Sequence, residues 1–265
     1  MIVGVLQARM SSRRLPGKVL MPLHGRPMLA RQIERLQRCP SMRLMVATSD
    51  HPGDDPIVSL CRELDVVCHR GSLDDVLDRV HGAACRLAAE HVVRLTGDCP
   101  LTDPELVEIA IDHHLKSGCD YTSNALERTY PDGLDVEVIR FAALEVAWRE
   151  AVLPSHREHV TPFIYQQPER FKLGSLTDSC DRSALRWVVD EPADLEFVNR
   201  VYAALYPDDP QFGSDAIHAL LSREPALSEL NRGIDPEAGW RRSQAEDRRQ
   251  LAHSDATDER SGGQR

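Results

Sequence analysis

"IVGVLQARMSSRRLPGKVL", residues 2–20, runs a short apolar segment straight into a loop carrying Arg9, Arg13, Arg14 and Lys18. A five-residue apolar run at 2–6, closed by polar residues, reads as a buried strand rather than a helix. The four cations follow at once, although the chain as a whole carries a formal net charge of −10. Doubly wound sheets bind ligands outside the carboxyl ends of their strands. A basic loop at the exit of a first strand therefore sets the reading of everything downstream.

Working outward, elements alternate in type. Leu29, Ile33 and Leu36 in "PMLARQIERLQR" (27–38) have helical spacing, "RLMVATS" (43–49) reads as a strand, and "DPIVSLCREL" (55–64) as a helix begun by Asp54 or Asp55 with Pro56 in its first turn. "DVVCHR" (65–70) is a strand, "SLDDVLDRVHGAACRLAAE" (72–90) a helix capped by Ser72, and "HVVRLT" (91–96) a strand again. Further helices are expected at 103–118, with Asp103 as N-cap, and at 141–151, 155–167, 192–205 and 214–224. Further strands are expected at 133–139 ("GLDVEVI") and 184–190 ("ALRWVVD"). Strands separated by helices of this length predict an α/β fold: three layers, α/β/α, around a mostly parallel doubly wound sheet. The domain is expected over 1–240, and the polar stretch 241–265 reads as a disordered tail.

At 265 residues the chain holds one large domain or one with a small appendage, and 42% hydrophobic with 28% charged residues is ordinary for a soluble globular protein. The acidic balance argues against general nucleic-acid binding, which needs a basic field. Seven cysteines, with no pair at CxxC spacing, give a zinc site little support and read as reduced thiols of a cytoplasmic protein. No stretch has the length of a membrane span or the form of a signal peptide.

Three clusters carry chemistry. The basic loop suits a phosphate chain, because guanidinium forks and backbone N–H groups both donate to anionic oxygens. It is not a Walker A loop, since Ser12 and Val19 stand where that motif needs Gly and Ser or Thr, and no GxGxxG follows the strand. "RLTGDCPLTDP" (94–104) brings Thr96, Gly97 and Asp98 to a strand end; Asp98 reads equally as a Mg²⁺ ligand and as a turn carboxylate. "RWVVDEPADLEFV" (186–198) ends on Asp190, which can share a metal with Asp98 if the two lie close, whereas Asp194 reads as a helix cap. His113 and His114 read as surface residues of a helix, and His159 either contacts a ligand or is buried on a helix face.

The ordered set "QARMSSRRLPGKVL", "RGSLDDVLDR" (70–79), "GDCPL", "YTSN" (121–124), "YPDGLDVEV" (130–138), "REHVTPFIY" (157–165) and "VDEPADL" resembles the SpsF-like sugar-activating cytidylyltransferases over about residues 1–205. More distantly it is similar to the enzymes that attach CMP to 3-deoxy-manno-octulosonate and sialic acids. The resemblance implies a nucleotide-diphospho-sugar transferase (GT-A-like) fold. It further implies that Leu6, Gln7, Ala8, Arg9, Ser12, Arg14 and Lys18, with Arg70, Asp75, Thr96 and Gly97, surround a nucleotide. Asp98 and Asp190 match metal carboxylates, giving Mg²⁺ as cofactor. Asn124, Asp132, Asp135, Glu137, Glu158 and His159 would face the acceptor.

The implied reaction is CMP transfer from CTP to a small acceptor, such as a sugar acid, with release of pyrophosphate. Arg14, Lys18 and Asp98 act on the phosphates and no side chain stands out as a general base. Relatives of this kind often form homodimers. Two other readings share the architecture. A glycosyltransferase would need a DxD-like metal motif, and no convincing one stands in the right place, since Asp74–Asp75 lies at a helix start. A non-catalytic nucleotide-binding protein would have no need of Lys18, Asp98 and Asp190 together.

Overall fold

The computed structural model describes residues 1–236 and 238–262, with side chains as far as residue 250. Nine strands are present among these residues: β1 (Ile2–Gln7), β2 (Pro22–Leu23), β3 (Arg26–Pro27), β4 (Arg43–Ser49), β5 (Val67–Gly71), β6 (His91–Thr96), β7 (Tyr121–Ser123), β8 (Glu137–Arg140) and β9 (Leu173–Ser175). The helices are α1 (Met28–Leu36), α2 (Asp55–Glu63), α3 (Val76–Arg86), α4 (Pro104–Ser117), α5 (Phe141–Glu150), α6 (Pro154–His159), α7 (Pro162–Tyr165), α8 (Pro192–Leu205), α9 (Ser214–Arg223) and α10 (Ala238–Gly262).

Seven strands make one sheet in the order β5-β4-β1-β6-β8-β7-β9, while β2 and β3 form a small hairpin. β5, β4, β1 and β6 run parallel; β8 is antiparallel to both of its neighbours, and β9 is parallel to β7. The central strands are apolar on both faces, as burial under helices on each side requires. Val3, Val5, Met45 and Ala47 pack with α3 and α5 residues in one core. Leu6, Val46, Val93 and Leu95 pack with α1, α4 and α8 residues in the other. The three-layer reading is thereby realised.

The register positions the site. Gln7 stands beside Ala47 on one side and Thr96 on the other, so the loops leaving β1, β4 and β6 emerge next to one another at a single edge. Strand order reverses between β1 and β6, which is the switch point where such sheets open a crevice.

Several expected elements come out differently. The stretch 184–190 is extended but forms no strand. It makes one bridge, Asp132 to Arg186, then passes to the other side, where Val189 N donates to Asp98 O at 2.8 Å. Its backbone groups are divided between two loops, so no ladder forms. Of 133–139 only residues 137–139 are strand, as part of β8, because the Asn124 amide takes up Leu134 O and Val136 N, each at 2.8 Å. The helix expected at 155–167 is two short ones, interrupted at Val160 (φ 72°), after which Pro162 has no N–H to continue the ladder.

Helix α3 starts after Asp75 rather than Ser72, with Asp75 capping Asp78 N at 2.9 Å. His114 is not on the surface but 1% exposed, with Thr122 Oγ1 at 2.9 Å from Nδ1 and the His91 ring at 3.0 Å from Nε2. Of the polar stretch 241–265 read as a tail, residues 241–262 belong to α10 and 263–265 lie outside the described residues; the first turns of α10 dock on α6, where Asp247 Oδ1 accepts from Ser155 N at 2.9 Å. Asp103 caps α4, as expected, by accepting from Glu105 N at 3.0 Å.

Candidate active site

The basic loop is pinned at both ends. Asp54, 2% exposed at the entry to α2, accepts from Met10 N at 2.7 Å and is itself held by Thr48 Oγ1 and Ser49 N from the end of β4. At the far end Gly17 has φ 73° and returns its N–H to Met10 O at 2.9 Å. A side chain there would cost roughly 1–2 kcal/mol in left-handed strain. The 3-10 turn Lys18–Leu20 that follows sends Lys18 inward, leaving it 7% exposed.

Lys18 Nζ is the meeting point of all three loops. It donates to Asp98 Oδ2 at 2.9 Å, Asp190 Oδ1 at 2.9 Å and Val189 O at 2.8 Å. Burial by itself would lower the Lys18 pKa, but the two carboxylates outweigh it and raise it. Burial would likewise raise the Asp98 pKa, yet the Lys18 ammonium and a Thr96 hydrogen bond hold it down at about 2. Asp190 Oδ2 receives Arg14 at 2.6 Å and Arg186 at 3.1 Å. Asp194, 0% exposed, fixes this corner by accepting from Asp190 N and Glu191 N at 2.9 Å and from Arg186 Nε at 2.9 Å.

A cavity of about 300 Å³ opens beside this cluster. Of the residues singled out from sequence, Gln7, Ala8, Arg9, Ser12, Arg14, Lys18, Thr96, Gly97, Asp98, Glu158, His159 and Asp190 all line it. Gly97 lets β6 lie flat on β1, since a Cβ there would stand 2.9 Å from Gln7 O and 3.0 Å from Ala8 Cβ. Glu158 and His159 are aimed by the Val160 backbone; Arg9 reaches Glu158 at 3.6 Å, and burial lowers the His159 pKa, leaving its ring neutral at pH 7.

The remaining predicted residues are elsewhere. Leu6 is core, 0% exposed. Arg70 pairs with Asp55 at 2.7 Å and with the carbonyls of Ser49 and His51. Asp75 caps α3 and takes a two-pronged Arg157 contact, which leaves no acidic DxD-like pair at the cavity. Asn124 is spent on the backbone of 134–136, and Asp135 on both guanidinium nitrogens of Arg128, at 2.6 and 2.8 Å. Asp132, bound to Arg186 at 2.7 Å, faces a different cavity. Glu137 is buried, accepting from Tyr121 Oη and Thr161 Oγ1 at 2.6 Å each and pairing with Arg94.

Sequence reasoning missed the cations those acids hold. Arg94 lines the cavity between Glu137 and Gln7 Oε1, the latter 3.1 Å from its Nε. A cation inside the otherwise apolar "HVVRLT" was its visible signal. Arg79, 2% exposed, also lines the cavity and has no carboxylate partner among the described residues; its guanidinium donates to Ser72 O and Leu73 O, and burial, first of all, lowers its pKa to about 10.

The donor set fits a hard cation with a small protein complement. Asp98 gives Oδ2 to Lys18 and faces Cys99 Sγ with Oδ1 at 3.5 Å, which sets a weakly held oxygen at the cavity wall. Asp190 has three cations on its two oxygens and would have to release one. Among the described residues no group of three or more His, Cys, Asp or Glu could hold a metal alone. Mg²⁺ commonly takes one or two carboxylates and completes its shell with phosphates and water.

A basic loop, a strand-end carboxylate and a buried lysine joining them thus meet at the switch point, where sheets of this kind bind their ligands. The family model "Cytidylyltransferase" matches residues 3–203, and the chain belongs to that family. It is 39% identical over 88% of its length to an uncharacterised protein of Methanocaldococcus jannaschii, of which 95% is covered. It is 31% identical over 84% of its length to the spore coat polysaccharide biosynthesis protein SpsF of Bacillus subtilis, again 95% covered. A solved cytidylyltransferase from Leptospira borgpetersenii superposes with a TM-score of 0.83 at 28% identity, over 88% of this chain and 98% of that one. The fold is that of nucleotide-diphospho-sugar transferases.

Proposed function

We propose that the protein transfers CMP from CTP to an acidic sugar or related small acceptor, releasing pyrophosphate, in the making of a surface glycan precursor. The observation that carries the reading is Lys18, held by Asp98 and Asp190 at the cavity wall, with Arg14 beside it. Arg9, Ser12, Arg14 and Lys18 would bind the triphosphate, Arg14 and Lys18 taking the β- and γ-phosphates. The acceptor oxygen then forms its bond to the α-phosphorus as the bond to the β-bridging oxygen breaks, and the acceptor proton leaves to solvent. Charge moves onto pyrophosphate in this step, and the two cations stabilise it where it accumulates. Gly97 keeps the end of β6 close against Gln7 and Ala8, which forms the floor of the cavity. When bound, Mg²⁺ would neutralise phosphate oxygens and orient the triphosphate, with Asp98 as its first ligand here and Asp190 as its second.

Thermal unfolding with CTP, UTP, ATP and GTP, each with and without Mg²⁺, tests the nucleotide. A ligand at a hundred times its Kd adds about 2.7 kcal/mol to stability. A selective, Mg²⁺-dependent shift with CTP is expected, followed by pyrophosphate release in a screen of sugar acids that Asp98→Ala abolishes. Absence of a shift with all four nucleotides would refute the reading.

A further inference from the structure

Helix α10 lies beyond the family-matched residues, yet it forms one wall of the cavity. Gly239, Arg242, Ser243 and Glu246 all face it, at the i, i+3, i+4, i+7 spacing of a single helix face. Such a face normally docks through an apolar stripe, and here it is almost wholly polar. Ser243, 4% exposed, donates to Glu158 Oε2 and lies against His159 Nε2, at 2.9 Å in each case. Trp240 meets the His159 ring edge-on at 5.2 Å. One turn further on, Glu246 stands 4.0 Å from Arg13 of the basic loop.

Arg242 differs from its neighbours. It lines the cavity, is exposed, and makes no hydrogen bond or ion pair with another described residue. Arg13, the other cation at this end, is 70% exposed and has only the long contact to Glu246. Arg13, Arg14, Lys18, Arg242 and Glu246 line the same cavity, where cations outnumber carboxylates.

We infer that α10 is part of the substrate site and that Arg242 donates to the outer phosphates of the bound nucleotide. This rests on the nucleotide reading above. The polyphosphate is the fitting oxyanion because the turn bearing Arg242 leads directly to Glu246, which touches the basic loop. Ser243 has a positioning role, keeping Glu158 and His159 against α10.

The test uses the full chain with Arg242→Ala and Arg242→Lys, titrated calorimetrically in Mg²⁺ with CTP, CMP and inorganic pyrophosphate. Arg242 is exposed, so both variants should keep the wild-type unfolding midpoint. A charged hydrogen bond of roughly 1.5–3 kcal/mol corresponds to a loss of about ten- to a hundredfold. Arg242→Ala should weaken CTP and pyrophosphate by that factor and leave CMP within about twofold, and Arg242→Lys should restore part of the loss. Unchanged CTP and pyrophosphate affinity in Arg242→Ala, with a wild type that binds CTP, would overturn the assignment of Arg242 alone. A wild type that binds no nucleotide would overturn the reading of the whole site.

Discussion

Replacing Glu137 by Gln keeps shape and alters charge at one buried point. Glu137 Oε1 accepts from Tyr121 Oη and Thr161 Oγ1 at 2.6 Å each, and Oε2 faces Arg94. In Glu137→Gln the amide oxygen can retain both hydroxyl donors, but its NH₂ then meets the guanidinium, two donors with no acceptor between them. Arg94 has an 11% exposed side chain and its other contact is Gln7 Oε1 at 3.1 Å, so its charge has no nearby substitute. Removing one partner of a buried pair costs about 3–5 kcal/mol. At about 2–4 °C per kcal/mol for a domain of this size, the melting temperature should fall by roughly 10 °C.

Urea unfolding should show the midpoint falling with the slope unchanged, since the surface exposed on unfolding is the same. The double variant Arg94→Gln, Glu137→Gln should cost less than the sum of the singles by at least about 1 kcal/mol, because the second change removes the stranded charge. The alternative, that Glu137 contacts the acceptor, predicts the opposite pattern: intact stability with a selective rise in acceptor KM. A Glu137→Gln protein within about 0.5 kcal/mol of wild type would refute the reasoning.

Gly97→Ala places a Cβ 2.9 Å from Gln7 O and 3.0 Å from Ala8 Cβ, forcing β1 and β6 apart at the cavity floor; a loss of about 1–3 kcal/mol in urea unfolding and a drop of tenfold or more in CTP affinity should accompany it. Asp75→Asn keeps a good N-cap while breaking the Arg157 pair, and should cost about 1 kcal/mol with the CTP Kd unchanged within about twofold, since neither residue lines the cavity. His114 has its pKa pushed down to about 4, by burial first and the neighbouring His91 second. A depressed histidine favours the native state when neutral. Its contribution is therefore complete above the unfolded value near 6.5 and fades as pH falls through the folded one, by about 3 kcal/mol in all. Unfolding measured from pH 7 to 4 should show this loss, and His114→Gln should flatten it.

How much of this was legible in the chain depends on where each residue's partners come from. β1, β4, β5 and β6 were readable because continuous apolar runs are what a sheet buried on both faces demands. Asp98 was readable because it follows the end of β6, and Arg14 and Lys18 because their loop leaves β1 beside it in the register; Asp190 joins them not from a strand end but through Val189 N on Asp98 O and its own pair with Lys18. The partners of Asn124, Asp135 and Glu137 were hidden for the converse reason. A carboxylate or amide in a loop motif looks free until its partner is known, and Val136, Arg128 and Arg94 come from positions that no local pattern ties to them. The segment 184–190 reads as a hydrophobic strand, but its hydrogen bonds are divided between Asp132 and Asp98, a division only tertiary contacts determine. The first turns of α10 were hidden because their docking is polar, through Ser243 and Asp247, and composition measures only apolar content.

The charge arrangement gives a reason for an acidic protein to build a basic site. Most of the cavity's cations touch acids of the same chain: Lys18 has Asp98 and Asp190, Arg14 has Asp190, Arg9 has Glu158, and Arg94 has Glu137. These pairs lower the cost of gathering positive charge before any phosphate arrives. They do not cancel it, because the described lining residues include seven arginines and lysines against four carboxylates, and His159 is neutral. A locally positive cavity on a chain of net charge −10 focuses the field at its mouth instead of spreading it over the surface. Each acid also sets a threshold. On the proposed reading a small monoanion would gain too little to pull Arg14 or Lys18 from Asp190, whereas a triphosphate would meet several cations at once and leave Asp98 and Asp190 free for a divalent cation. Affinity should therefore climb steeply from CMP to CTP, and the CTP association rate should fall as ionic strength rises past the point where the Debye length drops below about 10 Å.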